Sequence, residues 1–295
     1  MMTPWLALPS AFGLLLLLVA LAFAGAALEW GIWRLAARAG LPASQVGRLD
    51  EWIGGLGGLA HPGESRAESP AAGLGFALIA AGSAFPLGLL LLHPEAALLP
   101  VGMGVLALSP LVSSLGYAVA AERAPTPESA RHRLAAASRI LFAAPALLAA
   151  VAVTAGWAQA GSTPATVVAH LLLALALLVS GLLVLPGAVA ERSLTSRLWG
   201  GDASEPSGAV RFLTGTAHYT SLCAVCLLAA WMTSAPGRLK PWAMALAVLG
   251  VLALRLSALS PRGGRWLLAS PRWLVPALLV AYCARASLGR LGGSP

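Results

Sequence analysis

Apolar residues run in long uninterrupted blocks along this chain, instead of alternating or marking one face of a helix. A block of about 20 apolar residues is what a helix needs to cross the hydrocarbon core of a bilayer. By that measure the pattern predicts eight spans, at 6–28, 71–92, 96–121, 134–158, 163–190, 212–234, 242–259 and 267–285. Polar residues gather between the blocks, in a long connection over 29–70 and shorter ones at 191–211 and 260–272. The expected fold is therefore all-α, a polytopic integral membrane protein whose single membrane domain covers 1–295. The first block is longer than a signal-peptide core and has no basic region before it, so it is expected to be a retained helix.

One connection carries a helical pattern of its own. In "RLDEWIGGLGGL", Leu49, Trp52, Ile53, Leu56 and Leu59 recur at the spacing of one helical face. An amphipathic helix lying on the membrane surface satisfies that spacing. Four glycines in the same stretch each lower helix propensity by about 1 kcal/mol relative to alanine, so a surface loop with scattered apolar residues is the other reading.

Composition and charge sharpen this picture. The chain is 58% hydrophobic and 10% charged, with a mean hydropathy of +0.81, against roughly 25% charged residues in soluble domains. Its net charge of +8 comes from arginines in short connections, where they orient helices, so nucleic acid is not an expected partner. Of the 19 Lys and Arg residues, thirteen fall in the connections after the first, third, fifth and seventh spans and four in the alternate ones. Positive residues stay on the cytoplasmic side. Both termini are thus expected on the non-cytoplasmic side of the cell inner (plasma) membrane. The cysteines Cys223, Cys226 and Cys283 all lie in apolar blocks, which argues against a disulfide framework.

Little catalytic chemistry is legible. Ionisable groups deep in a membrane cost at least about 2.5 to 3.5 kcal/mol each and are kept for function. All eleven carboxylates, Glu29 and Glu191 among them, fall in connections or at the ends of the expected spans. Arg139 and Arg255 lie inside spans but near a cytoplasmic end, where long side chains reach back to the interface. His218 and Tyr219 form a titratable pair in an otherwise small, apolar span; hydrogen-bonded packing is the plainer account of such a histidine. "CAVC" at 223–226 has metal-ligand spacing but no second pair, and small buried hydrophobes explain it better. No phosphate loop, zinc motif or nucleophile elbow is present. No catalytic residue and no metal are expected, and no cofactor in this chain.

A set of ordered motifs nevertheless resembles the NuoH-type membrane subunit of respiratory complex I and related energy-converting hydrogenase-like complexes. "EWGIWRLAARAGLPASQVG" places Glu29, Arg34, Arg38, Pro42 and Val46-Gly47 much as that family spaces its Glu-Arg-Lys start and Gly-Pro-Asn-Arg-Val-Gly turn. "RLDEWIGGLGGL" stands where the family's amphipathic helix follows, and "RHRLAAASRILFAAP" is similar to its fourth-helix Arg-Ala-Ala-Ala run. His218-Tyr219 occupies the position of the family's Glu-Tyr. Arg255, Pro261-Arg262, Arg265, Trp273 and Pro276 resemble the series joining its last two helices.

The resemblance implies a membrane heel that docks a soluble iron-sulfur arm and contacts antiporter-like and small helical membrane subunits, with lipid around it. Iron-sulfur clusters would belong to those partners, and a quinone is a possible ligand of a cavity under the first connection. The implied proton path runs through His218, Tyr219, Glu29 and Glu191. The implied quinone cavity or arm-docking residues are Arg34, Arg38, Trp52, Arg262 and Arg265. The chain departs from the family in its acidic residues: Ala143 stands at the fourth-helix glutamate position, and the connection 191–211, with three arginines against three carboxylates, is not acidic on balance. A structural subunit of such a complex with no quinone or proton role, and a small-solute membrane transporter, are the alternative readings.

Overall fold

The first apolar block does not end where its hydrophobicity does. In the computed structural model, which describes residues 4–40, 52–53, 74–75, 77–82, 100–122, 124, 127–157, 164–184, 208–233, 241–258 and 260–291, helix α1 spans Pro4–Arg38. It runs ten residues past the expected end, because the alanine and leucine of "WRLAAR" are strong helix formers. Gly40, at φ 71°, closes it in the left-handed conformation usual just after a helix end. At 1.5 Å per residue α1 is about 52 Å long, so Glu29, Arg34 and Arg38 belong to a helix and not to a loop.

The remaining labelled helices are α2 (Pro100–Glu122), α3 (Pro127–Trp157), α4 (Pro164–Val184), α5 (Gly208–Thr233), α6 (Pro241–Ala258), α7 (Pro261–Ala269) and α8 (Pro271–Leu291). The described residues contain no strand, and the chain is all-helical as expected. By length and composition one described stretch, Arg133–Val153 with mean hydropathy 1.9, is long and apolar enough to cross a membrane. A second passes if Pro241–Ser257 and Arg262–Ala269, bent by 116°, count as one broken span. Leu171–Leu182, Gly215–Ala230 and Pro271–Cys283 are shorter apolar stretches. Of the expected surface helix only Trp52 and Ile53 lie within the described residues, both helical.

Packing is built on small residues. Helix α3 lies between α2, α4 and α8, while α5 is packed by α1, α4 and α6. The main core joins Ala146, Ala150 and Val153 of α3 to Leu173 and Leu177 of α4 and to Leu267, Leu274 and Leu278 of α7 and α8. A second core places Leu178 and Leu182 against Leu222 and Cys226 of α5 and against Ala243, Ala247 and Val251 of α6. Where helices come closest, glycines make the room. A Cβ on Gly116 of α2 would lie 2.5 Å from the Gly75 carbonyl oxygen, and one on Gly75 would lie 2.6 Å from that of Gly116.

The arginines of 131–133, expected in a connection, belong to the first turns of α3. Arg133 is buried and its Nη1 donates to the Ala120 carbonyl at 2.7 Å, which satisfies one of the carbonyls left open at the end of α2.

The basic connection expected at 260–272 is also largely helix. Ser260 caps α7, its Oγ accepting from Gly263 N at 3.0 Å, and Pro261 supplies the pre-set φ of the first helical position. Gly263 passes so close to the Ser257 carbonyl that no Cβ fits between them. Ser270 joins the two helices differently: its Oγ donates back to the Leu267 carbonyl at 2.7 Å, its own carbonyl accepts from Leu274 N at 2.9 Å, and Pro271 opens α8.

Candidate functional site

Glu29 and Trp33 share one face of α1 because they lie one helical turn apart, and the Trp33 indole donates to Glu29 Oε1 at 3.0 Å. The same oxygen accepts from Nη2 of Arg255, which reaches across from the last turn of α6. Glu29 Oε2 faces Nε2 of His218 on α5 at 3.6 Å and accepts no hydrogen bond. All four side chains are buried, with Glu29 at 8% exposure, Arg255 at 7% and His218 at 6%. Among the described residues Glu29 is the only buried carboxylate.

Two sequence expectations change here. Glu29 is not a carboxylate at a solvated helix end; the extension of α1 carries it into the interior, against α5 and α6. Arg255 does not reach back to an interface either. It lies beside Glu29, whose charge compensates its own at the point where α6 ends. A lone buried charge costs several kcal/mol in a low-dielectric interior, and each of these groups offsets that cost for the other.

Next to His218, Tyr219 lies edge-on to its ring at 5.5 Å and joins the site to an aromatic cluster. Trp52 lies edge-on to Tyr219 with ring centroids 5.0 Å apart, edge-on to Phe23 of α1 at 5.1 Å, and stacked with Phe212 at 5.9 Å. Its indole donates to Thr216 Oγ1 at 3.2 Å. Gly215 makes room for it, since a Cβ there would lie 2.5 Å from Trp52 Cδ1. Trp52 is thus buried at 3% exposure while its neighbour Ile53 is exposed at 43%. The face shared by the two in the surface-helix expectation therefore splits, because Trp52 packs on protein. The α1–α5 contact beside it is closed by Gly25, where a Cβ would clash with the Tyr219 carbonyl, and by Cys223 Sγ, which donates to the Leu21 carbonyl at 3.1 Å.

The structure brings together Glu29 and His218, with Tyr219 and Trp52 alongside. The other candidates stand apart. Arg34 is exposed, its guanidinium 4.1 Å from the centroid of the Trp30 ring, and Arg38 is exposed at the end of α1. Arg262 and Arg265 are exposed on α7. Glu191 lies outside the described residues. Sequence reasoning missed Arg255 and Trp33 as site members. The i, i+4 spacing of Glu29 and Trp33 was a usable signal; nothing local marked the burial of Arg255.

In chemical terms the site is a carboxylate with one oxygen fixed and the other open toward an imidazole. To reach the usual hydrogen-bond length of about 3.0 Å, the 3.6 Å gap must close by roughly 0.6 Å. A small rotation of either side chain would do so and let a proton move between them. Among the described residues no group of three or more His, Cys, Asp or Glu could hold a metal ion. No protein-family model matches the chain, and no curated protein matches it in sequence.

Proposed function

We propose that this chain is a membrane-embedded, NuoH-like subunit of a complex I-like respiratory or energy-converting assembly, anchoring a soluble electron-transfer arm and carrying a protonatable pair near the arm. One observation carries the reading. Glu29, His218 and Arg255 belong to three separate motifs of the resemblance, spread over more than 200 residues, and their side chains meet at one point. Motifs kept for unrelated reasons have no cause to converge.

The membrane setting, with eight spans in all, is supported by how apolar residues are distributed. Many of the buried apolar residues are alanine, whereas Leu108, Leu111, Leu115, Leu171, Leu172 and Leu249 are large, apolar and exposed. Helices associate in lipid through close contacts of small residues, since lipid tails are as apolar as leucine. A soluble bundle would bury the leucines.

Glu29 and His218 then stand for the start of a proton path. Trp30, Arg34 and Arg38, exposed on the projecting end of α1, offer a cationic and aromatic surface to a partner. The tight pairing of Glu29 with Arg255 also fits a purely structural subunit, in which the pair only fixes α1 against α6. Purification of the tagged chain from its native membrane in mild detergent tests the proposal. Copurifying iron-sulfur and antiporter-like proteins are the expected result, and a chain that purifies alone overturns both readings.

A further inference from the structure

The elbow between α6 and α8 has a face that neither the buried pair nor the core uses. Helix α7 is bent by 116° from the line of α6, and it buries Leu267 and Ser270. Its opposite face carries Arg262, Arg265 and Trp266, spaced three and four residues apart, all exposed. The first turn of α8 adds exposed Arg272 and Trp273 beside them, with the two indole rings 5.6 Å apart and tilted by 42°. Farther along α8 the outer face turns apolar, with Val280 at 69% exposure. Three exposed cations and two indoles therefore gather at the elbow from which the exposed apolar face of α8 runs on.

We propose that this elbow binds the headgroup of an anionic phospholipid. The guanidinium groups of Arg262, Arg265 and Arg272 would meet the phosphate, the indoles would lie at headgroup level, and an acyl chain would follow the outer face of α8. Tryptophan prefers that level because its ring is apolar and its N–H polar, and arginine gives a phosphate paired hydrogen bonds. The scale of α6 agrees: its 18 residues rise about 27 Å, near the roughly 30 Å of a hydrocarbon core. Its far end also carries an exposed tryptophan, Trp242. The apolar outer face of α8 that continues from the patch, with Leu279 and Val280 exposed, suits an acyl chain and gives an acidic protein surface nothing to pair with. This inference rests on the membrane-embedded reading above.

Native mass spectrometry of the full chain, released from detergent with equal amounts of phosphatidylglycerol and phosphatidylcholine, tests it. At about 1 kcal/mol for each basic residue near an anionic surface, the wild type retains phosphatidylglycerol in at least about tenfold excess. The variant Arg262→Gln/Arg265→Gln/Arg272→Gln brings the ratio close to one, and the corresponding Lys variant keeps the excess. An unchanged excess in the Gln variant overturns the proposal. So does its loss in the Lys variant, since folding and not charge would then be responsible. If the Gln variant keeps its lipid preference but sheds a copurifying soluble protein, the elbow is a protein-docking surface and the lipid proposal falls. Failure of the membrane reading shows separately, as release of the wild type from membranes by an alkaline carbonate wash.

Discussion

At the residue scale, the burial of Glu29 beside Arg255 sets what single substitutions do. Glu29→Ala leaves the Arg255 cation in the interior without its carboxylate, and breaking a buried pair in this way costs about 3 to 5 kcal/mol. Arg255→Met should cost a similar amount. The double variant should recover much of the loss, because both charges are then gone. Thermal melting of the four proteins in detergent measures the coupling, and strictly additive losses would mean that the pair contributes nothing as a pair. His218 should behave differently. It faces Glu29 Oε2 across 3.6 Å, and its removal leaves the Glu29–Arg255 contact in place, so His218→Ala should leave assembly intact while abolishing ion movement coupled to electron transfer in native vesicles. Unchanged coupling would reduce it to a packing residue. Glu29 and His218 were legible as site members because the motifs that hold them imply a proton path, whereas the motif that holds Arg255 implies only a connection. Arg255 was not, since the same arginine three residues before a helix end is solvated or buried according to where the next helix turns, and no local pattern records that.

At the element scale, hydropathy located the cores of helices but not their ends. The polar extension of α1 and the early start of α3 are invisible to an apolar-run criterion, although both extensions position buried ionic groups. The stretch 260–272, expected as a polar connection, is helix for a different reason. Ser260-Pro261 and Ser270-Pro271 each place a hydroxyl residue before a proline at the first position of a helix. Read as paired starts, they would have predicted both α7 and α8. The packing of residue 52 on α5 gives an element-level prediction. Trp52→Ala removes a buried indole and should destabilise the chain by about 3 to 5 kcal/mol. Gly215→Ala puts a methyl group 2.5 Å from Trp52 Cδ1 and should cost about 1 to 3 kcal/mol by overpacking. Once Trp52 is alanine the Gly215→Ala change should cost almost nothing further, because the clash is gone. Equal effects of Gly215→Ala in both backgrounds, measured by melting, would show that the glycine serves something other than the indole.

At the scale of the whole molecule, whether α7 crosses by itself decides the topology. If Ala124, between α2 and α3, faces the cytoplasm as the excess of arginines predicts, and if α3, α4, α5, α6 and α8 each cross as proposed, five crossings lead from there to the C-terminal end. An odd number puts that end outside. The count stays odd as long as α7 makes no crossing of its own, whether it lies along the interface or completes a broken span with α6, from which it is bent by 116°; its nine residues reach about 13 Å at 1.5 Å per residue, less than half of a hydrocarbon core. Reporter fusions separate the possibilities: a fluorescent protein that folds only in the cytoplasm should light up after Ala124 and stay dark after Pro295, and an alkaline phosphatase active only outside should show the reverse. Both positions reporting the same side would mean that one of these helices does not cross, or that α7 makes a crossing of its own. The outcome bears on the buried pair as well. Glu29 lies near the projecting end of α1 and Arg255 in the last turn of α6, next to the elbow, so a cytoplasmic elbow places the Glu29–His218 contact on the side where a soluble electron-transfer arm would dock. An external elbow would put that contact out of reach of any cytoplasmic partner and leave the pair with a structural role only.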